Sequence, residues 1–445
     1  MTWKARRKGR LARFWRWVKR GRALRYIRLA RMLSARGMAR FDVENRARHR
    51  SLEVFQAHYD PDRTFPYTWD EFRRLPEMAG CINCGLCLSR CPAIRGLTLD
   101  RSAARYAGPR DVGLSLSRSA PDFWATSDTL YYCTLCGACE AVCPVGVPIP
   151  EVVEMVRRKL YRQEVEIVTQ SRNETCPCLP QAHRALQANL EGPAGNIFGQ
   201  PMPGWQDWER PEAEIVFFVG CAFTYWERES VEHTLRLLQR LGVDFTTIAE
   251  RCCGGPSHIV GAPLVDAVAQ QNIQAIQAKG THKVLTACPR CYLTLAHDPA
   301  YAGLEVQHTT TFLAQRASEL AVRVPAGPPP VVTYHDPCEI GRCVGEYESP
   351  RQVIRAAGLE LREMASCREL SNCCGAGGGV RGAYARVSVS IARQRYLEAA
   401  ATGAEFLLTE CPSCLHNFRN ARRSRDTLKV ANLSEHLDQW LENRG

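Results

Sequence analysis

Beyond residue 220 the chain carries two cysteine frames of one design, about 120 residues apart. The first runs Cys221, then Cys252-Cys253-Gly254-Gly255, then Cys288-Pro289-Arg290-Cys291. The second runs Cys338, then Cys373-Cys374-Gly375, then Cys411-Pro412-Ser413-Cys414. Adjacent cysteines are poorly placed to bridge each other, but they can turn two thiolates toward one polynuclear metal site. Five thiolates per frame is one more than a zinc ion or a cubane cluster takes, so the frames point to unusual iron–sulfur centres.

Eight further cysteines form two ferredoxin-type runs, Cys81-x2-Cys84-x2-Cys87-x3-Cys91-Pro92 and Cys133-x2-Cys136-x2-Cys139-x3-Cys143-Pro144. In paired runs the fourth cysteine serves the other cluster. That rule assigns Cys81, Cys84, Cys87 and Cys143 to one [4Fe-4S] cubane, and Cys133, Cys136, Cys139 and Cys91 to its neighbour. Gly85 and Gly137 let the backbone turn tightly there. Structural zinc is the competing reading of such runs. A disulfide framework fits poorly with so long a chain without a secretory segment, so the cysteines imply a reducing compartment. Cys176 and Cys178 belong to no frame and are read as unliganded thiols; Cys343 and Cys367 are read as buried small residues.

Candidates for direct chemistry are few. Cys338, Cys373 and Cys374 of the second frame are candidates for the catalytic centre, and His335 and Asp336, just upstream of Cys338, could relay protons to a bound sulfur substrate; for that pair a supporting role behind the ligands is the alternative. Gly254, Gly375, Gly377 and Gly378 are read as backbone passing close to a cluster with its N–H groups aimed at sulfur. The Gly375–Gly379 run follows a cysteine pair rather than a strand, which argues against a nucleotide loop. No flavin motif and no hydrolase constellation is present in the sequence, so hydride chemistry would belong to another polypeptide.

These loops need elements to hold them. A repeat appears from residue 213: Ile215–Val219 delivers Cys221 as Val331–Tyr334 delivers Cys338. Val231, Leu235, Leu238 and Leu241 share a helix face ending at Gly242, and Ser349-Pro350 opens a helix ending at Gly358. Further helices end at Gly280 and Gly403, and the strands Val284–Thr286 and Phe406–Thr409 meet the Cys-Pro-x-Cys turns. Strands alternating with helices predict parallel sheets with ligands at the strand ends. The expected fold is a multidomain α+β chain: an arm (1–50), an all-helical two-cluster ferredoxin domain (51–165), a connector (166–212) and two repeated α/β domains (213–325 and 326–445). Glu151–Leu160 reads as a helix with Arg157, Arg158 and Lys159 at its carboxyl end.

The net charge of +12 belongs to the arm, because residues 1–41 hold fifteen Lys or Arg and no acid. With Trp3, Phe14, Trp15, Trp17 and Tyr26 interleaved, this segment fits a helix lying on anionic lipid, a partner-docking segment or a solvated tail. Nothing else in the sequence suggests nucleic-acid binding. No run of 18 apolar residues exists to cross a bilayer.

The two frames resemble the cysteine-rich CCG domains of the heterodisulfide reductase family. The resemblance covers about residues 75–440 and rests on Gly220-Cys221, Arg251-Cys252-Cys253-Gly254-Gly255-Pro256, His335-Asp336-Pro337-Cys338, and Glu363-Met364 upstream of the Cys373–Gly379 run. Two ferredoxin runs followed by two CCG domains look like the D-type subunits of that family and the K-type subunits of Dsr complexes. Iron–sulfur subunits of glycolate, lactate and anaerobic glycerol-3-phosphate oxidation share the layout. Glu339 is a departure, where the family often has His or Tyr. The resemblance implies one or two non-cubane [4Fe-4S] clusters on Cys221, Cys252, Cys253, Cys288 and Cys291 and on Cys338, Cys373, Cys374, Cys411 and Cys414. It further implies an electron-transfer or reductase subunit, cytoplasmic and peripheral at the inner face of the cell membrane. Its expected partners are a haem b or quinone-reactive membrane subunit, and a flavoprotein dehydrogenase or a sulfur-carrying protein. The alternative is a relay from a flavin dehydrogenase to quinone.

Overall fold

Two short apolar segments, β1 (Ile215–Phe217) and β5 (Val331–Tyr334), each start a four-stranded sheet. In a computed structural model describing residues 68–100, 106, 108–118, 129–170, 179–322, 324–325 and 327–442, both sheets are wholly parallel. β2 (Phe245–Thr246), β3 (Lys283–Thr286) and β4 (Glu305–His308) complete the first sheet, in the order β2-β1-β3-β4. β6 (Glu360–Leu361), β7 (Phe406–Thr409) and β8 (Lys429–Asn432) complete the second, in the order β6-β5-β7-β8. Helices cover both faces, so Val216, Phe217, Val332 and Leu407 have no exposed surface. β4 and β8 are additions to the three strands per copy expected from the sequence.

Helix Arg228–Arg240 buries Val231, Thr234, Leu235 and Leu238 on one face and stops before Gly242, whose φ of 66° is the left-handed terminator. The two modules pack reciprocally. Helix Arg228–Arg240 of the first lies on Leu433–Glu442 of the second, and Thr309–Gln315 of the first lies on Glu348–Ala356 of the second. Buried hydroxyls lock these contacts: Ser230 Oγ donates to Glu435 at 2.7 Å and Thr309 Oγ1 to Glu410 at 3.0 Å. One apolar core runs through both sheets.

The cluster-run segment is helical, with Leu86–Arg90, Pro92–Asp100, Gly108–Arg118 and Ile149–Gln170. Helix Pro92–Asp100 packs on Ala385–Ala400 of the second module, and Ile149–Gln170 on Gly255–Val260 of the first. Arg157 is the tie among the three parts. Its guanidinium is wholly buried and donates to the carbonyls of Ile259 (2.7 Å), Gly378 (3.0 Å), Leu130 (3.2 Å) and Cys133 (2.8 Å). The helix runs on to Gln170, so Arg157 is an interior position rather than a dipole partner at the carboxyl end. The described residues from Arg74 onward form one compact unit. The basic arm and the Cys176–Cys178 pair lie outside the described residues.

Candidate metal centres and the cavity they face

In each sheet the strand order reverses between the first and third strands, so the loops leaving their carboxyl ends diverge and open a crevice. The cysteines sit there. Cys221 opens a helix just past β1, and Cys288 caps the helix Pro289–His297 just past β3, with proline in the first turn. Gly220 has φ 85°, and a Cβ on it would stand 2.8 Å from Cys291 Sγ, so only glycine lets the strand end reach the thiols. Cys221 and Cys252 sulfurs lie 3.5 Å apart, and all five cysteines of this frame are buried. Asn272 Nδ2 donates to the Cys252 carbonyl at 3.0 Å and Tyr301 Oη to the Cys253 carbonyl at 3.1 Å, which clamps the adjacent pair. Glu250 accepts the N–H groups of Val219 (2.9 Å) and Gly220 (2.6 Å), and burial pushes its carboxyl up to about 8.

The second frame repeats the plan with different supports. Cys374 and Cys414 sulfurs lie 3.1 Å apart, and Asn417 Nδ2 donates to the Cys374 carbonyl at 2.7 Å. The backbone N–H groups of Gly375 and Ala376 point at Cys373 Sγ (3.2 Å) and Cys374 Sγ (3.5 Å). His335 places a ring nitrogen within 4.8 Å of the Cys374 and Cys414 sulfurs. Its Nδ1 accepts from Arg395 Nε at 3.2 Å, so the proton is on Nε2; burial and then Arg395 hold its pKa far below the usual imidazole range. Asp336 is committed elsewhere. Its carboxylate takes a bidentate pair from Arg351 (2.6 and 3.1 Å) and the Arg368 N–H (2.8 Å), an anchor for the loop rather than a free relay.

The ferredoxin-type cysteines gather around two small cavities. One is lined by Cys81, Cys84, Cys87, Cys139 and Cys143; the other by Cys91, Cys133, Cys136 and Cys139, so Cys139 lines both. The second set touches the second frame directly. Cys373 Sγ lies 3.6 Å from Thr134 Oγ1, and the Cys136 thiol is held well above the ordinary range first by Cys373 and then by burial. The glycine run makes this contact possible: a Cβ on Gly377 would stand 2.5 Å from the Thr134 carbonyl, and one on Gly378 would overlap the Cys133 carbonyl. Cys343 is exposed and Cys367 half-buried, contrary to expectation, because both lie in surface turns flanking the second frame.

Both frames face one cavity of about 520 Å3. All five cysteines of the first frame line it, with Cys338, Cys374, Cys411 and Cys414 of the second. The facing wall comes from the segment read as a connector. Ala182 and Leu186, one turn apart on helix Gln181–Glu191, join Phe198 and Trp226 in an apolar surface. His183 donates from Nε2 to the Gly379 carbonyl at 3.0 Å, its Nδ1 has no partner, and burial lowers its pKa to about 4. Arg290 lines the cavity in an ion pair with Glu339, which gives that departure from the family pattern a structural partner. No motif marks Ala182, His183, Leu186 or Trp226; only the apolar spacing at 182, 186 and 190 signals a buried face.

The donor set fits polynuclear iron–sulfur groups. Crowding and burial hold Cys252, Cys291 and Cys414 far above the usual thiol range, through Cys221, Cys253 and Cys374 respectively as nearest partners. Cys252 draws Cys253 well below that range, and Cys373 draws Cys374 down to about 5. So dense a set of buried thiols can ionise together only around a strongly positive core.

The CCG cysteine-rich domain model matches residues 215–296 and 332–419, and the 4Fe-4S dicluster domain model matches 77–147. The D-type subunit of the dihydromethanophenazine:CoB–CoM heterodisulfide reductase of Methanosarcina barkeri is 30% identical over 396 residues, 80% of this chain and 91% of that protein. The B-type subunit of the fumarate reductase (CoM/CoB) of Methanothermobacter marburgensis is 27% identical, over 90% of this chain and 79% of that one. The EtfAB:quinone oxidoreductase of Syntrophomonas wolfei is also 27% identical, over 83% of this chain and 59% of that one. A crystal structure of a hypothetical protein from Helicobacter pylori shares the fold, with a TM-score of 0.52 at 11% identity, covering 88% of this chain and 77% of that one. Paired cluster runs, paired cysteine frames in the same order and a match spanning 91% of the Methanosarcina protein place the chain in the D-type heterodisulfide reductase family of iron–sulfur electron-transfer proteins.

Proposed function

We propose that this chain is the disulfide-reducing component of a membrane-associated, heterodisulfide reductase-like complex, and that its substrate binds in the cavity between the two cysteine frames. The carrying observation is that nine cysteines from both frames line that single cavity. Cys81, Cys84, Cys87 and Cys143, and Cys133, Cys136, Cys139 and Cys91, would hold two [4Fe-4S] cubanes; the ten frame cysteines would hold one or two non-cubane [4Fe-4S] groups. When bound, these groups supply single electrons at little geometric cost. In the proposed reaction the S–S bond of R–S–S–R′ breaks with uptake of two electrons and two protons, giving RSH and R′SH. The electrons come one at a time from a reduced haem b or quinone-reactive membrane partner.

The chain's own residues set the conditions for this. Ala182, Leu186, Phe198 and Trp226 exclude water from one side of the cavity. The Cys136–Cys373 contact makes the second frame the entry point from the helical segment (51–165), with residues 213–325 and 326–445 as the two modules closing on the substrate. Among the described residues no helix is long and apolar enough to cross a membrane, so bilayer chemistry falls to a partner. A cytoplasmic site at the inner face of the membrane, with the basic arm on anionic lipid, agrees with the charge of residues 1–41.

The similarity to an EtfAB:quinone oxidoreductase favours a second reading, a relay carrying electrons from a flavoprotein dehydrogenase to quinone. Anaerobic protein, reduced and then mixed with bis(2-hydroxyethyl) disulfide, separates the two by electron paramagnetic resonance. Disulfide reduction predicts reoxidation of the centres with release of 2-mercaptoethanol. Signals indifferent to the disulfide would leave the relay.

A further inference from the structure

We propose that Arg342 is the positioning residue for electron passage between the helical cluster segment and the second frame, its charge stabilising the transferred electron on both sides of the joint. The inference rests on the reading that these two cysteine sets hold iron–sulfur groups, and it is the same for disulfide reduction and for the relay. Arg342 follows the helix Cys338–Gly341, and its N–H donates to the Cys338 carbonyl at 2.9 Å. From there the half-buried side chain spans the joint. Nη1 donates to the Cys136 carbonyl at 2.7 Å, Nε to the Glu369 carbonyl at 2.9 Å, and Nη2 to the Ser371 carbonyl. Glu369 and Ser371 belong to the turn that leads into Cys373. A Cβ on Gly137 would stand 3.3 Å from Arg342 Cδ, so the side chain passes closely over the ferredoxin-type turn.

Each nitrogen of the fork is committed to a neutral carbonyl, which fixes the guanidinium in place and leaves its charge uncancelled. Among the described residues no carboxylate pairs with Arg342, and the cysteines whose charge acts on it are first Cys136, then Cys338 and Cys373. Arg290, Arg351 and Arg395, also near the frames, each have a carboxylate: Glu339, Asp336 and Glu398. The counter-charge of Arg342 is the cysteine sets themselves. A reduced centre carries one more negative charge than its oxidised form, so a fixed cation between two centres favours the reduced form of each. In the transfer one electron leaves the centre on Cys91, Cys133, Cys136 and Cys139, which is oxidised. It enters the second-frame centre, which is reduced, and no bond to Arg342 forms or breaks.

Redox titration of the anaerobic holoprotein, followed by electron paramagnetic resonance, tests this without turnover. The signals lost in Cys136→Ala and in Cys374→Ala identify the two centres beside the joint. Unit charges about 12 Å apart at an effective dielectric of about 20 interact by a factor of about ten. Arg342→Gln should lower both midpoint potentials by that factor in the reduced-to-oxidised ratio, about 59 mV for one electron. The first-frame centre and the centre on Cys81, Cys84, Cys87 and Cys143, whose cysteines exert no comparable charge on Arg342, should shift less than half as far. Arg342→Lys keeps the charge without the fork and should undo at least half of the drop. A change below about twofold (about 18 mV) beside the joint overturns the assignment, as does an equal shift at all four centres. Equal drops in Arg342→Gln and Arg342→Lys also overturn it, since the three carbonyl bonds and not the charge would then be what matters. If Arg342→Gln retains no iron, loading restored by Arg342→Lys supports the role of the charge, and loading lost in both overturns it. Wild-type protein without iron removes the cluster reading itself.

Discussion

Replacing Arg157 by methionine should loosen the joint that brings the helical cluster segment against both modules. Four buried carbonyls, those of Leu130, Cys133, Ile259 and Gly378, lose a charged donor at 2.7–3.2 Å, and methionine offers them nothing. At roughly 1 kcal/mol for each buried acceptor left short, the loss is about 4 kcal/mol. The compact unit has roughly 370 residues, so its unfolding entropy is about 0.8 kcal/mol/K and the midpoint should fall by about 5 °C. Circular dichroism melts of anaerobic protein at one scan rate measure this. Arg157→Lys keeps the charge but cannot span four carbonyls, so it should fall between the two. A midpoint for Arg157→Met within about 1 °C of wild type would refute the assignment of Arg157 as the tie.

Gly375 has φ 83°, and a Cβ there would stand 2.5 Å from the Ser388 carbonyl and 2.8 Å from Ile391 Cβ, so Gly375→Ala should abolish the second-frame signal. Gly280→Ala, at φ 76° in open space, should cost only about 1 kcal/mol and leave every signal intact. Burial lowers the His436 pKa to about 4, so the unfolded chain binds more protons between that value and about 6.5. His436 therefore contributes stability above about pH 6.5 that is lost as pH falls toward 4. Going from about pH 7 to about pH 5, His436→Phe should lose about 2 kcal/mol less than wild type in urea unfolding, and equal losses would rule out this role.

The grouping of the cysteines was legible because side chains that gather at one place must lie close in sequence or at the ends of adjacent strands, and both constraints leave fixed spacings. The parallel sheets were legible from β1, β3, β5 and β7, which are short apolar runs ending at cysteines. β4 and β8 were not, since Glu305–His308 and Lys429–Asn432 are half-polar edge strands with no periodic signal. Arg157 looked like one of three basic residues at a helix end, and only the longer helix and its neighbours bury it. The glycine run was read as backbone approaching a cluster. Its N–H groups do face sulfur, but Gly377 and Gly378 are also required by the passing Cys133–Thr134 backbone, a contact between segments some 240 residues apart. The cavity wall at 182–198 was missed because apolar lining residues carry no chemical signature.

The central claim, that paired frames and paired ferredoxin runs all hold iron–sulfur groups, is tested most directly by iron and acid-labile sulfide analysis of anaerobically purified protein. Two cubanes and two four-iron frame centres predict about sixteen iron atoms per chain and little zinc. Zinc with little iron would contradict the account, and about eight iron atoms would leave both frames empty and remove the proposed site.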